Sequence, residues 1–154
     1  MATIDNHGET ILIVDDEPLN LKLLQGHLER WGYTVIKASS GKEALEKVQA
    51  MPDLILLDIM MPGLDGFDTC LELKDNEGYS DIPIIFLSAL DDAESKAKGL
   101  EVGGVDYVGK PFFSRELQAR VRTHLTLRRQ ERILRKYSDT LEDMVEERSQ
   151  KLLK

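Results

Sequence analysis

Short apolar runs alternate with stretches of helical period from residue 10 to residue 123. Thr10–Val14 is a run of consecutive apolar positions that stops at Asp15 and Asp16. Leu21, Leu24, Leu28 and Trp31 then recur at helical spacing, with Pro18 and Gly32 as start and stop signals. Residues 33–38 read as a second strand. Ser40, Ala44, Leu45, Val48 and Met51 give a short amphipathic helix, with Ser39 or Ser40 as its N-cap. Leu54–Leu57 is a third strand that stops at Asp58. Pro62, Gly63 and Gly66 break the chain before Phe67, Cys70, Leu71 and Leu73 resume a helix. Residues 84–87 form a fourth strand ending at Ser88. The spacing predicts a more polar helix over 91–102, with Ala93, Ala97 and Leu100 inward. Residues 106–108 are a short fifth strand ahead of Lys110 and Pro111, and Leu117, Val121 and Leu125 mark a fifth helix.

This is a (βα)5 rhythm. Strands apolar on consecutive positions, joined by helices, imply an α/β fold with a parallel sheet covered on both faces. Right-handed crossovers make it a doubly wound parallel five-stranded sheet. Past residue 125 the pattern changes. Leu127, Leu134 and Leu141 lie seven apart, Tyr137 and Met144 fall between, and Val145 and Leu152 continue the stripe. Neither Pro nor Gly occurs after Pro111, so the fifth helix is expected to run on as one extended C-terminal helix. Such a stripe cannot be buried on its own domain, which predicts a coiled-coil homodimer through the tail, although Gln130, Arg148 and Lys151 interrupt the seam. The expected division is a polar lead over 1–8, a domain over 9–126 and a helical extension over 127–154.

Charge sharpens the picture. Residues 1–123 hold 22 Asp and Glu against 12 Lys and Arg, while 124–154 hold 6 against 8. A body this acidic repels phosphate backbones, so nucleic acid is not an expected partner. Arg128, Arg129, Arg132, Arg135 and Lys136 form a basic band, read as coiled-coil flanks facing Glu131 and Asp139. The start over 1–9 is polar and no apolar run reaches the length of a membrane span. With Cys70 as the one cysteine, the expectation is a cytoplasmic protein without membrane partners. His7, His27 and His124 have no ligand spacing and are assigned no metal role, and Cys70 is read as core filler.

The candidate chemistry lies where strands end. Asp15 and Asp16 follow the first strand, Asp58 the third, Ser88 the fourth and Lys110 the fifth. In an open parallel sheet these carboxyl ends line the crevice that binds ligands, beside the switch point flanked by strands one and three in a 2-1-3-4-5 order. Singly, each residue is an ordinary cap, turn former or surface charge. Together they set three carboxylates, a hydroxyl and an amine on one rim. Carboxylates so crowded repel, and a hard cation with oxygen ligands, Mg²⁺, relieves them. Asp58 is then placed as a carboxylate nucleophile toward a phosphoryl group, with Lys110 and Ser88 beside its oxygens.

The runs Ile11-Leu-Ile-Val-Asp15-Asp16-Glu17, Asp53-Leu-Ile-Leu-Leu-Asp58-Ile-Met-Met-Pro62-Gly-Leu-Asp65-Gly66, Leu87-Ser88-Ala89 and Gly104-Val-Asp-Tyr107-Val-Gly-Lys110-Pro111 resemble the receiver domains of two-component response regulators. The resemblance implies a flavodoxin-like strand order and phosphorylation of Asp58 by a sensor histidine kinase or phosphotransfer protein. It implies Mg²⁺ held by Asp15, Asp16, Asp58 and the backbone carbonyl of Met60, and a cis Lys110–Pro111 bond. Lys110 and Ser88 would contact the phosphoryl oxygens, and Tyr107 would swing inward when Ser88 moves. Ser88 stands where many members carry Thr, which keeps the hydroxyl. Met60 and Leu90, two residues beyond Asp58 and Ser88, are apolar, so a long-lived aspartyl phosphate is expected. The tail is similar to helical linkers that precede output domains, so the chain reads as a fragment of a multidomain regulator.

The residues also bear on three rival readings. A phosphatase with an aspartate nucleophile needs a second Asp where Met60 stands. A flavin module needs a small, neutral loop where Asp15-Asp16-Glu17 stands. A non-phosphorylated pseudo-receiver serving as a dimerisation module would lack an acid or the lysine, and none is missing. The expectation is therefore a regulatory phosphoacceptor rather than an enzyme.

Overall fold

The computed structural model describes residues 8–90 and 92–152, with side chains as far as residue 148. The polar lead over 1–7, His7 and the side chains of Lys151 and Leu152 lie outside these described residues. Five strands, β1 (Thr10–Val14), β2 (Thr34–Ala38), β3 (Leu54–Leu57), β4 (Ile84–Ser88) and β5 (Asp106–Gly109), form one parallel sheet in the order β2-β1-β3-β4-β5. Helices α1 (Pro18–Arg30), α2 (Gly41–Lys47), α3 (Gly66–Lys74), α4 (Ala93–Glu101) and α5 (Ser114–Leu152) connect and cover it.

β3 and β4 are buried at every position, and β1 at all but its first, because each face of the sheet has its own helical layer. Leu12, Val14, Ile55, Leu57, Ile84 and Phe86 pack with Ala44 of α2 and Phe67, Cys70 and Leu73 of α3. The alternate residues Ile11, Ile13, Leu54, Leu56, Ile85 and Leu87 pack with Leu21, Leu24 and Leu28 of α1 and Leu117, Val121 and Leu125 of α5. The period of two thus sends successive side chains into two separate cores. Cys70 is buried as expected, its thiol donating to the Val102 carbonyl.

Helix boundaries follow local chemistry. Pro18 opens α1, Ser40 accepts the Glu43 amide at the head of α2, and Asp65 does the same for Asp68 in α3. Here two expectations need correction. α2 stops at Lys47 and closes in a 3-10 turn over Val48–Ala50, after which Met51 takes a left-handed φ of 58° and is half exposed. Pro52 accounts for the stop, since the residue before a proline is kept out of the right-handed helical region. In α4, Ala93, Ala97 and Leu100 point outward and Gly99 is the buried position. A Cβ on Gly99 would sit 3.0 Å from the Phe86 ring, so the helix approaches the sheet through the residue with no side chain.

α5 runs unbroken for 39 residues, about 58 Å at 1.5 Å per residue. The basic band is a further correction. Arg128 is buried and donates to the Asp53 carbonyl, Arg129 pairs with Glu9, Arg132 with Asp53 and Arg135 with Asp81. These arginines grip the amino edge of the sheet instead of flanking a coiled coil, because the helix passes over that edge before it leaves the body. From Leu134 onward, Leu134, Tyr137, Leu141, Met144 and Val145 are all more than half exposed. Among the described residues no helix is long and apolar enough to cross a membrane.

Candidate functional site

The carboxyl ends of β1, β3, β4 and β5 meet at one rim, as the parallel register requires. Val14 pairs with Leu57, so the residues that follow, Asp15 and Asp58, lie side by side, and Ser88 pairs with Gly109 beside Lys110. One oxygen from each of Asp15, Asp16 and Asp58 falls within 4.8 Å of the others. Asp15 is 1% exposed and Asp58 7%, whereas Asp16 faces solvent. Lys110 reaches across the rim, its Nζ 2.6 Å from Asp15 Oδ2 and 3.4 Å from Asp58 Oδ2. The Lys110–Pro111 bond is cis, as the resemblance to receiver domains implies.

Backbone amides hold the acids in place. Asp15 Oδ1 accepts the Glu17 amide at 2.9 Å and Asp58 Oδ1 accepts the Ile59 amide at 2.8 Å. Each acid keeps its second oxygen, Oδ2, on the Lys110 side. Burial pushes the Asp58 carboxyl above the usual carboxylate range; the Lys110 ammonium opposes this and the Asp15 charge adds to it. Close packing against the backbone is what allows the loop to turn here. A Cβ on Gly66 would sit 2.2 Å from the Asp58 carbonyl, so only glycine lets α3 start against the end of β3.

The donor set is hard: three carboxylates with one ammonium leave a surplus of negative charge at a partly open rim. Oxygen ligands in that number suit Mg²⁺, so the residues fit such an ion. Ser88 is fully buried at the same edge, but its Oγ is engaged locally, accepting the Leu90 amide at 3.3 Å. Tyr107 packs its ring near Phe86 and donates its hydroxyl to the Leu90 carbonyl. The side chain of Met60 points into solvent.

Residues 11–122 match the response regulator receiver domain. The chain belongs to the response regulator receiver family. Among similar proteins, a "Probable transcriptional regulator ycf27" of Guillardia theta is 50% identical over 118 residues, 76% of this chain and 45% of that protein. A "Probable cyclic di-GMP phosphodiesterase" of Vibrio cholerae is 42% identical over 144 residues, 93% of this chain and 32% of that protein. The Vibrio cholerae chemotaxis protein CheY4 shares the fold with a TM-score of 0.72 and 30% identity, covering 76% of this chain and 98% of that one. The chain thus spans about half the length of the first of these relatives and about a third of the second.

Within this receiver, one participant escaped the sequence. The backbone of Leu90 bridges Ser88 and Tyr107, its amide donating to one and its carbonyl accepting from the other. No sequence signal could have found it, because a main-chain group is the same in every residue.

Proposed function

We propose that this receiver is the phosphoacceptor of a two-component system, taking a phosphoryl group on Asp58 from a sensor histidine kinase or phosphotransfer protein. What supports this most directly is the buried Asp58 carboxylate, with Asp15 beside it and Lys110 at 3.4 Å. An Asp58 oxygen attacks phosphorus, the phosphorus–nitrogen bond to the donor imidazole breaks, and that ring nitrogen keeps the electron pair. Asp15, Asp16, Asp58 and the Met60 carbonyl would hold Mg²⁺, which when bound supplies charge neutralisation of the transferred group. Lys110 contributes a second positive charge to the phosphoryl oxygens, and Ser88 turns its hydroxyl from the Leu90 amide toward them. That turn breaks one half of the Leu90 bridge, which frees Tyr107 to move inward and reshapes the face made by α4, β5 and α5.

The donor protein has an apolar seat beside the site. A cleft lined by Leu23, Leu24, His27, Phe112 and Phe113 opens next to Lys110, and Leu19 and Phe113 are about three-quarters exposed. The functional division falls near residue 126. Leu134, Tyr137 and Leu141 lie on the side of α5 opposite Val121, Leu125 and Arg128, so a second copy can pair there without meeting the domain. The ycf27 and phosphodiesterase-named relatives carry this domain as about half or less of a longer chain, and the same plan here would place an output unit after the helix, in the cytoplasm.

Acetyl phosphate tests the reading. Incubation with Mg²⁺ should add one phosphoryl unit to the protein, detected by intact mass, and chelation or Asp58→Asn should remove it. Met60 and Leu90 leave no polar group to guide a hydrolytic water, so the adduct should persist for minutes. Absence of any adduct would sink the phosphoacceptor role and leave a structural dimerisation module.

A further inference from the structure

The amino edge of the sheet carries a second array of opposed charges, at the other end of the strand that bears Asp58. Asp53 stands at the head of β3. Its carbonyl accepts from Arg128 Nη1 at 3.1 Å, its Oδ2 accepts the Thr10 amide at 2.9 Å, and its Oδ1 lies 3.8 Å from Arg132. Arg129 pairs with Glu9 at 3.2 Å, and Arg135 reaches Asp81 at 3.9 Å. Arg128 is only 6% exposed, and its Nε finds no hydrogen-bond partner among the described residues. Burial and Arg132 weigh against its charge, while Asp81, Asp53 and Glu131 favour it.

Sinking a guanidinium at a sheet edge is costly, and a leucine would cover the same surface without that cost. What the arginines add is direction. Within two turns of α5 they touch three separate parts of the body: the start of β1, the head of β3 and the segment before β4. A single contact would let a helix tilt and roll; three points spread across the heads of neighbouring strands resist both. We propose that this clasp, centred on Arg128 and Asp53, is a rigid joint that turns the projecting half of α5 into a lever on β3. From residue 128 to residue 152 the lever is about 36 Å long, so a tilt of about 5° carries its tip through ~3 Å. The clasp also sets the roll, holding the arginines inward and Leu134, Tyr137 and Leu141 outward.

The test reads the helix direction and does not depend on phosphorylation. Spin labels at Glu72→Cys on α3 and Glu146→Cys on α5 report one distance between body and lever; both positions are exposed. Cys70 can stay, since burial pushes its thiol up to about 11 and shields it from the reagent. Labelled chain is diluted in excess unlabelled chain so that only distances within one chain count. The native clasp should give a single narrow distribution, and Arg148→Gln, outside the clasp, should keep it. Arg128→Leu should at least double the width. Arg132→Gln with Arg135→Gln, on two exposed side chains that leave the core intact, should broaden it to a lesser degree. A width unchanged in variants that still melt cooperatively overturns the joint, even if Asp58 takes up phosphate normally. Broadening with no phosphate uptake upholds the joint and removes only the phosphoacceptor role.

Discussion

The two edges of the sheet both set cations among carboxylates, and they strike opposite balances. At the carboxyl edge three acids share one ammonium, two of the acids are buried, and Asp58 is pushed up by burial and by Asp15. At the amino edge four arginines meet Glu9, Asp53 and Asp81, and every contact ties a helix to a strand or loop. A surplus of one sign at an open rim is a site that another ion completes. An array in which each cation has its own contact, spread over a helix and its neighbours, is a mechanical fastening. The presence of opposed charges alone would not separate them, but the way the contacts are shared out within each cluster does.

Removing the one cation of the carboxyl edge should have the largest effect. Lys110→Ala leaves Asp15 and Asp58 buried without an opposed charge, and breaking such a pair costs about 3 kcal/mol. Urea melts of the metal-free protein should show that loss, and acetyl phosphate labelling should slow by about 100-fold. A loss near zero would mean that solvent already screens the rim. Next in size is the gain from Mg²⁺. If the surplus is what the rim holds, Mg²⁺ at about a hundred times its dissociation constant should add about 2.7 kcal/mol of stability. The increment should be the same in Arg132→Gln and much smaller in Asp16→Asn, which separates the two edges in one set of thermal melts.

The sequence made the carboxyl edge legible because each of its members ends a strand. Asp15, Asp58 and Lys110 are fixed to one rim by the alternation of strands and helices, with no need to know how side chains bend. The amino edge offered no such anchor. Its arginines sit on a helix whose heptad pattern points to a partner chain, and their true partners, Glu9, Asp53 and Asp81, lie 54 to 120 residues away in sequence and are brought near only by the fold. α4 departs from its periodicity for a related reason. Periodicity weighs side chains, and the closest approach to Phe86 is made by Gly99, which has none. The Leu90 bridge lies beyond any such reading, since it is built from main-chain atoms.

The smallest effect is the one that best isolates charge as the cause. The folded Asp58 carboxyl titrates above its ordinary value because it is buried and Asp15 is near, with Lys110 opposing. The folded state therefore holds this proton more tightly than the unfolded chain does. Its contribution to stability is fully present below the unfolded carboxyl's ordinary range and is lost as pH rises through the raised folded value. Asp58→Asn keeps the shape and removes the charge, so in chelator at neutral pH it should stabilise the protein by about 1 kcal/mol. That advantage should fade as the pH falls into the carboxylate range, where the native side chain also becomes neutral. Asp106 works in the opposite sense: despite its burial, His124, the Tyr107 amide and Arg120 hold it below the usual range, so its contribution is lost as pH falls. Because Asp106 is present in both proteins, it cancels in the difference between their melting curves. A difference that stays constant from acid to neutral pH would mean that the asparagine acts by packing, and that the crowded acids at the rim carry no electrostatic penalty for an ion to relieve.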